Sequence, residues 1–367
     1  MPSSRSRPLS GDSHLKGDCH LNLFRRRRWL FLALALGLLL VTATLGMAWG
    51  AVSIPPGAVL RIVGQRLGFA AGAADWPPAW GTILLEIRIP RVVLAGLVGM
   101  TLAVAGAVYQ ALFRNPLAEP YLIGVSSGAS FGATLAIVFI WRFGWGGWNG
   151  VSLAAFVGAL AATGAIYSLA RVGGRTPVTT LILAGVAVNA LLSAATVFLM
   201  FSMQDAFRAM HVLGWLMGSL ALADWEKVRT VLPYVLAGLA LISWHAHTLN
   251  VLQLDEEQAQ SLGVAVERTK GLLIVAVSLA TAAAVSVSGA VGFVGLIVPH
   301  IVRLLWGPDH RFLLPMSGLV GAICLILADS AARTLFSPRE LPLGVVTAVA
   351  GAPFFLYLLR RQKREVF

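Results

Sequence analysis

Residues 25–50 read RRRRWLFLALALGLLLVTATLGMAWG. Four arginines, Arg25 to Arg28, abut an uncharged run from Trp29 to Gly50. About 20 apolar residues make a helix that crosses a bilayer, and this run is that long. It is too long for a signal-peptide core and lacks a convincing cleavage site. It therefore predicts a retained first span with its basic start in the cytoplasm. The preceding residues, 1–28, read as a polar, disordered cytoplasmic tail.

Composition extends that reading to the whole chain. Of 367 residues, 57% are hydrophobic and only 12% charged, against about 45–50% and about 25% in soluble domains. So few charges cannot coat a water-soluble body, and a soluble globular protein is excluded. Further apolar runs at 88–113, 120–141, 151–170, 178–201, 229–248, 271–289, 291–306, 312–332 and 342–360 predict an all-α polytopic membrane protein. With the first run they make ten spans within 29–361, leaving a short cytoplasmic tail at 362–367 and both termini on one side. Most of the 28 Lys and Arg fall on that side, as the positive-inside rule requires. The net charge of +12 thus reads as topology and lipid headgroups, not nucleic acid. Thirty-eight glycines suit close helix packing in lipid. Cys19 and Cys324 supply neither a disulfide framework nor a metal set.

The connections differ in character. The outer loop 51–87 carries Pro55, Pro56, Pro77 and Pro78, and the outer loop 202–228 contains an apolar stretch, 211–220, that predicts a short helix dipping into the outer face. The inner loop 249–270 is polar and patterned. Within it Asp255 can N-cap a helix, Gln258 can close a capping box, and Gly263 can provide the left-handed stop. Such a helix is either a solvated connector or a contact for a partner.

Chemistry inside the spans is sparse. Asp329 is the only acid well within one, and Arg333 follows four residues later on the same face. Ion-coupled carriers need buried carboxylates or histidines as relays, so an ion-coupled secondary carrier is the weaker alternative. The chain has no Walker A loop, no His-Glu-x-x-His helix and no cysteine cluster. Gly124-Val125-Ser126-Ser127-Gly128 fits G-x-S-x-G, which leaves an intramembrane serine protease using Ser126 or Ser127 with His300 as a remote reading. A nucleophile elbow requires a strand before its helix; here glycines at 124, 128 and 132 make a packing face instead. Arg88 and Arg91 share one helical face at an outer span end, with Pro90 suited to a first turn. Arg333 lies at the same outer side, and these three break the positive-inside bias. They can anchor at the interface, pair with Glu86 and Asp329, or meet a partner. Met200, Met203, Met210 and Met217 can line an outer vestibule or serve as adaptable packing.

Several phrases are too particular for a generic bundle. They are Arg88-Ile89-Pro90-Arg91, YQALFRNPLAEP at 109–120, GFVGLIVPHIVRL at 292–304, Asp309-His310-Arg311, ADSAAR at 328–333 and ELPLGVVT at 340–347. In this order, over 29–361, the chain resembles the FecCD family of ABC-importer permeases for iron–siderophores, haem and vitamin B12. The resemblance implies a ten-helix subunit that forms homodimers, with substrate passing along the two-fold axis. Two ABC ATPase subunits would dock below and an extracytoplasmic substrate-binding protein above. ATP and Mg would belong to the ATPases, with no cofactor in this chain. It implies an ATPase-coupling motif at Glu257, Ala259, Leu262 and Gly263, departing from the common pattern at Gln258, and a cytoplasmic gate at Val178 and Thr179. It implies a pathway lined by the third, fifth and tenth spans and the short helix 211–220. It assigns Arg88, Arg91 and Arg333 to docking of the binding protein. The expected cargo is an iron chelate, with cobalamin or haem as alternatives.

Overall fold

The computed structural model describes residues 12–50, 52–69, 76–143 and 148–366. Its helices are, in chain order, α1 (Asp12–Ala48), α2 (Pro56–Arg66), α3 (Pro78–Thr82), α4 (Ile89–Leu112), α5 (Val125–Phe143), α6 (Trp148–Ala170), α7 (Val178–Phe201) and α8 (Ala206–Leu216). They continue as α9 (Trp225–Trp244), α10 (Ala246–Leu252), α11 (Glu256–Ser261), α12 (Val266–Ser288), α13 (Val294–Trp306), α14 (His310–Thr334) and α15 (Leu343–Val366). Seven are long and apolar enough to cross a membrane, and shorter apolar helices occupy 125–139, 294–306 and 343–357. Those three lie on the remaining apolar runs read from the sequence.

The elements the sequence misplaced have local causes. Residues 1–11 of the expected tail lie outside the described residues, but 12–28 are helical and continuous with the first span, arginine being a good helix former. The carboxyl tail is likewise part of α15 as far as Val366. The proline-rich loop holds two helices, because Pro55 and Pro77 stand at N-caps with Pro56 and Pro78 at first helical positions, where a missing N–H costs nothing. The short helix expected at 211–220 is α8, displaced toward the amino end. Asp205 caps it by accepting from the Phe207 N–H, and Gly218 turns the chain away at φ 74°.

Helix α4 is the centre of the bundle, packed by α12, α13 and α14. In its most apolar window 78% of residues are buried, against 17% in α1 and α7, whose exposed leucines and valines are suited to lipid. Lipid gives helices no hydrophobic drive to associate, so contact depends on close van der Waals approach. A Cβ on Gly106 of α4 would lie 1.7 Å from the Gly295 carbonyl oxygen of α13. That crossing exists only because Gly106 has no side chain.

The chain thus has two ends. Arg28, the turn after α4, the start of α7, α10, α11 and the start of α14 meet at one. The ends of α1 and α14, the start of α4 and residues 76–88 meet at the other. We call these the Arg28 end and the Arg91 end.

Gly106→Ala should therefore lower the unfolding temperature or abolish folded yield in detergent, with a cost of about 1–3 kcal/mol or more from overpacking. Gly164→Ala on α6, where an added Cβ meets nothing within 4 Å, should leave both unchanged in the same thermal-shift assay.

Candidate functional site

At the Arg28 end α11 stands on its own short loop. Asp255 caps it, though by accepting from the Glu256 N–H at 2.9 Å. No bond from Gln258 closes a capping box among the described residues; the Asp255 carboxylate is drawn instead to Arg114 at 3.0 Å. That guanidinium, together with the Glu256 N–H, holds the exposed Asp255 carboxyl below its usual range. The helix stops as expected. Gly263 has φ 82° and the Val264 N–H reaches back to the Ala259 carbonyl at 3.1 Å, a Schellman closure. Ala259 is fully buried against the bundle, whereas Glu257, Leu262 and Gly263 are exposed. The four expected coupling residues thus divide into one anchor and three on the outer face. A buried ammonium, Lys270 of α12, pairs with Glu256 at 2.7 Å and fixes the helix from beneath. Asp309 gathers the same end. Burial pushes its carboxyl up, but hydrogen bonds from Asn250, Arg28 and the Arg311 N–H hold it below its usual range.

Val178 and Thr179 open α7 directly after Pro177, at this same end. Val178 is half-buried and Thr179 exposed. Farther along, a cleft of about 440 Å³ is lined by Ser126, Ser127 and Ser130 of α5, Asn189, Ser193 and Thr196 of α7, and Leu216 of α8. Parts of the third and fifth spans and the last residue of the short helix thus line one weakly polar space, whereas the tenth span, α15, contributes no residue to it. Ser127 spends its hydroxyl on Asn189 Oδ1 at 2.5 Å, which orients the amide whose nitrogen approaches the Tyr121 and Leu122 carbonyls. No base contacts Ser127 among the described residues. Gly128 and Gly158 pack α5 on α6, each denying the other a Cβ at 2.3 Å from its carbonyl oxygen. The G-x-S-x-G match is a packing face.

Four helix ends, those of α8, α12, α13 and α15, join beside this cleft. The Ser219 N–H donates to the Ser288 carbonyl at 2.8 Å, the Leu343 N–H to Gly218 at 2.9 Å and the Gly344 N–H to Met217 at 3.0 Å. Tyr121 completes the junction, donating to the Val291 carbonyl and accepting its N–H. Irregular backbone at membrane depth persists only where protein or a watered cavity satisfies it, and broken helices of this kind surround transport pathways. The sequence did not reveal this junction; Gly218, Gly289 and Gly344 were its only trace. Of the four methionines, Met210 lines a second cavity of about 360 Å³ behind α8 and Met217 is exposed, while Met200 and Met203 pack on the core.

The Arg91 end brings Arg88, Arg91 and Arg333 together, but turned inward. Arg88 donates to the carbonyls of Met47 at 2.7 Å and Ala48 at 3.0 Å, and to Val52. It thus satisfies carbonyl oxygens at the end of α1, where cations are favoured. Arg91 grips Asp329 at 2.9 Å and Glu340 at 2.9 Å. Arg333 pairs with Asp329 at 3.1 Å and donates to the Gly46 carbonyl at 3.0 Å. All three are more than nine-tenths buried, so none stands out from the surface as a free guanidinium, the presentation that a docking role suggests. The physical reason is that charge within a span takes the acceptors nearest to it before any partner arrives. Asp329 is likewise held by two arginines, an arrangement unlike a proton relay.

Asp329→Asn should leave two buried guanidiniums short of a counter-charge and destabilise the chain by about 3–5 kcal/mol, the usual cost of breaking a buried pair. Glu340→Gln, at a side chain 40% exposed, should cost under about 1 kcal/mol. Thermal unfolding of both variants in detergent checks the contrast.

Comparison with known proteins agrees with this architecture. The cobalamin import system permease protein BtuC of Halobacterium salinarum is 44% identical over 365 residues, covering 91% of this chain and 95% of that protein. The hemin transport system permease protein HmuU of Yersinia pestis is 43% identical, covering 77% of this chain and 84% of that protein. A solved structure described as a metal-chelate type ABC transporter in an inward-facing conformation superposes with a TM-score of 0.77 at 32% identity, over 90% of this chain and 98% of that one. Residues 38–361 match the FecCD transport family, and the chain belongs to it.

Proposed function

We propose that this chain is the permease of an ATP-driven importer that carries an iron chelate of the siderophore class across the cytoplasmic membrane. The observation that carries the reading is α11, a capped helix with Glu257, Leu262 and Gly263 exposed, in a chain that has no phosphate-binding loop of its own. Its outer face is suited to a separate ATPase, which would bind the ATP and Mg. The Arg28 end, with both termini, is then cytoplasmic. Two copies of the chain form the pathway, with Val178 and Thr179 as the inner gate facing their counterparts across the two-fold axis and two ATPases beneath. The substrate-binding protein docks at the Arg91 end. There the arginines act from within, and a carboxylate of the docking protein reaches Arg91 by taking the place of the half-exposed Glu340.

Cobalamin is the second reading of the cargo, favoured by the 44% identity to the Halobacterium cobalamin permease. Haem is supported in the same way by the Yersinia relative. The weakly polar cleft between α5, α7 and α8 supports a permease that leaves recognition to its binding protein. Titration of that binding protein with ferric siderophores, cobalamin and haem separates the three.

Gly263→Pro or Glu257→Arg should lower chelate uptake by about fivefold or more, the lower range of couplings between sites. Permease abundance should stay at the parent level, because the outer face of α11 lies outside the buried bundle. Normal uptake together with normal substrate-stimulated ATP hydrolysis in both variants would remove α11 from the mechanism.

A further inference from the structure

Lys270 is a buried cation shared by two acids on different elements. Its Nζ lies 2.7 Å from Glu256 of α11 and 3.3 Å from Glu267, one turn earlier on α12. Glu267 uses its other oxygen differently, accepting the Thr176 N–H at 2.8 Å. Thr176 stands two residues before Val178. These bonds make an unbroken polar path from the underside of α11 to Thr176, two residues before α7 begins.

The segment that ends the path is stiff. Val172 and Arg175 exchange both backbone hydrogen bonds, at 2.9 and 3.0 Å, around Gly173 and Gly174 with positive φ. Pro177 fixes its own φ and confines Thr176 to extended backbone. A displacement at the Thr176 N–H therefore carries the start of α7 with it. Thr176 is also 97% buried, with its hydroxyl lacking a hydrogen-bond partner among the described residues.

We propose that Lys270 and Glu267 are positioning residues that transmit the position of α11 to the gate at Val178 and Thr179. The proposal rests on the reading of α11 as the ATPase contact and of 178–179 as the gate. The physical constraint is that a buried ammonium cannot be left without a carboxylate. When the ATPase displaces α11, Lys270 either follows Glu256 and leaves Glu267, or stays with Glu267 and loses Glu256. Either move changes the charge shared by Glu267 and hence its hold on the Thr176 N–H. Glu267 thus reports the state of α11 to the segment that begins α7, a bistable element that both sites bias.

The test uses the full importer, this chain with its ATPase subunits, in lipid nanodiscs. The background is Cys19→Ser and Cys324→Ser with Val178→Cys, and the readout is disulfide crosslinking between the two copies with and without nucleotide. In the parent, nucleotide should change the crosslinking yield. Lys270→Met and Glu267→Ala should each reduce that change by about fivefold or more, while the ATPase still copurifies and hydrolysis continues. Lys270→Arg should restore the response. Glu267→Ala leaves the Lys270–Glu256 pair in place, so it carries the test alone if Lys270→Met does not assemble. If the parent yield ignores nucleotide, the gate assignment fails and the relay falls with it. If the parent responds and Glu267→Ala responds equally, the relay is wrong while the gate stands. Loss of copurifying ATPase in Glu267→Ala would make the pair part of the docking fold and also overturn the relay.

Discussion

The crossing of α4 and α13 at Gly106 and Gly295 sets the geometry of this bundle. Lipid does not drive helices together as water does, so contact has to come from backbones that fit closely. The missing Cβ at Gly106 lets α13 run against the most buried helix of the chain. Gly99 and Gly321 do the same between α4 and α14. With α13 and α14 fixed on α4, the break between α12 and α13 lies inside the bundle, where α8 and α15 can pair with it. The weakly polar cleft between α5, α7 and α8 adjoins that junction.

The two ends solve opposite electrostatic problems. At the Arg91 end, three arginines and two acids are closed into a network that ties α1, α4 and α14 together. Such a network contributes specificity of arrangement more than net stability. At the Arg28 end the ion pairs tie short α11 to its neighbours: exposed Arg114 to Asp255, and buried Lys270 of α12 to Glu256.

Much of this was legible in the sequence because a bilayer imposes simple rules. Ten apolar runs fall on ten helices, with boundaries shifted by no more than six residues except at the amino end of α1, which starts at Asp12. Asp255 and Gly263 foretold α11, since caps are local. What escaped was settled by tertiary partners. The prolines of 51–87 suggested a loop, yet they open α2 and α3. The spacing of Arg88 and Arg91 showed which face they share, but not that the α1 carbonyls and Asp329 would draw them inward. Asp329 and Arg333 were paired correctly from their i, i+4 spacing, whereas Arg91, the other partner of Asp329, comes from 238 residues away and leaves no mark in a local pattern. In the Lys270–Glu267–Thr176 path, Lys270 and Glu267 are local, one turn apart, but the bond to Thr176 comes from 91 residues away and leaves no such mark.

The proposed function has this chain moved by a separate ATPase and not by an ion gradient. Its most direct test is uptake into proteoliposomes that hold the chain, its ATPase subunits and its binding protein, with ATP inside or with only a proton or sodium gradient imposed. Chelate should accumulate with ATP, fail to accumulate when the ATPase is omitted, and not accumulate under either gradient alone. Accumulation driven by a gradient through this chain alone would contradict the proposed function.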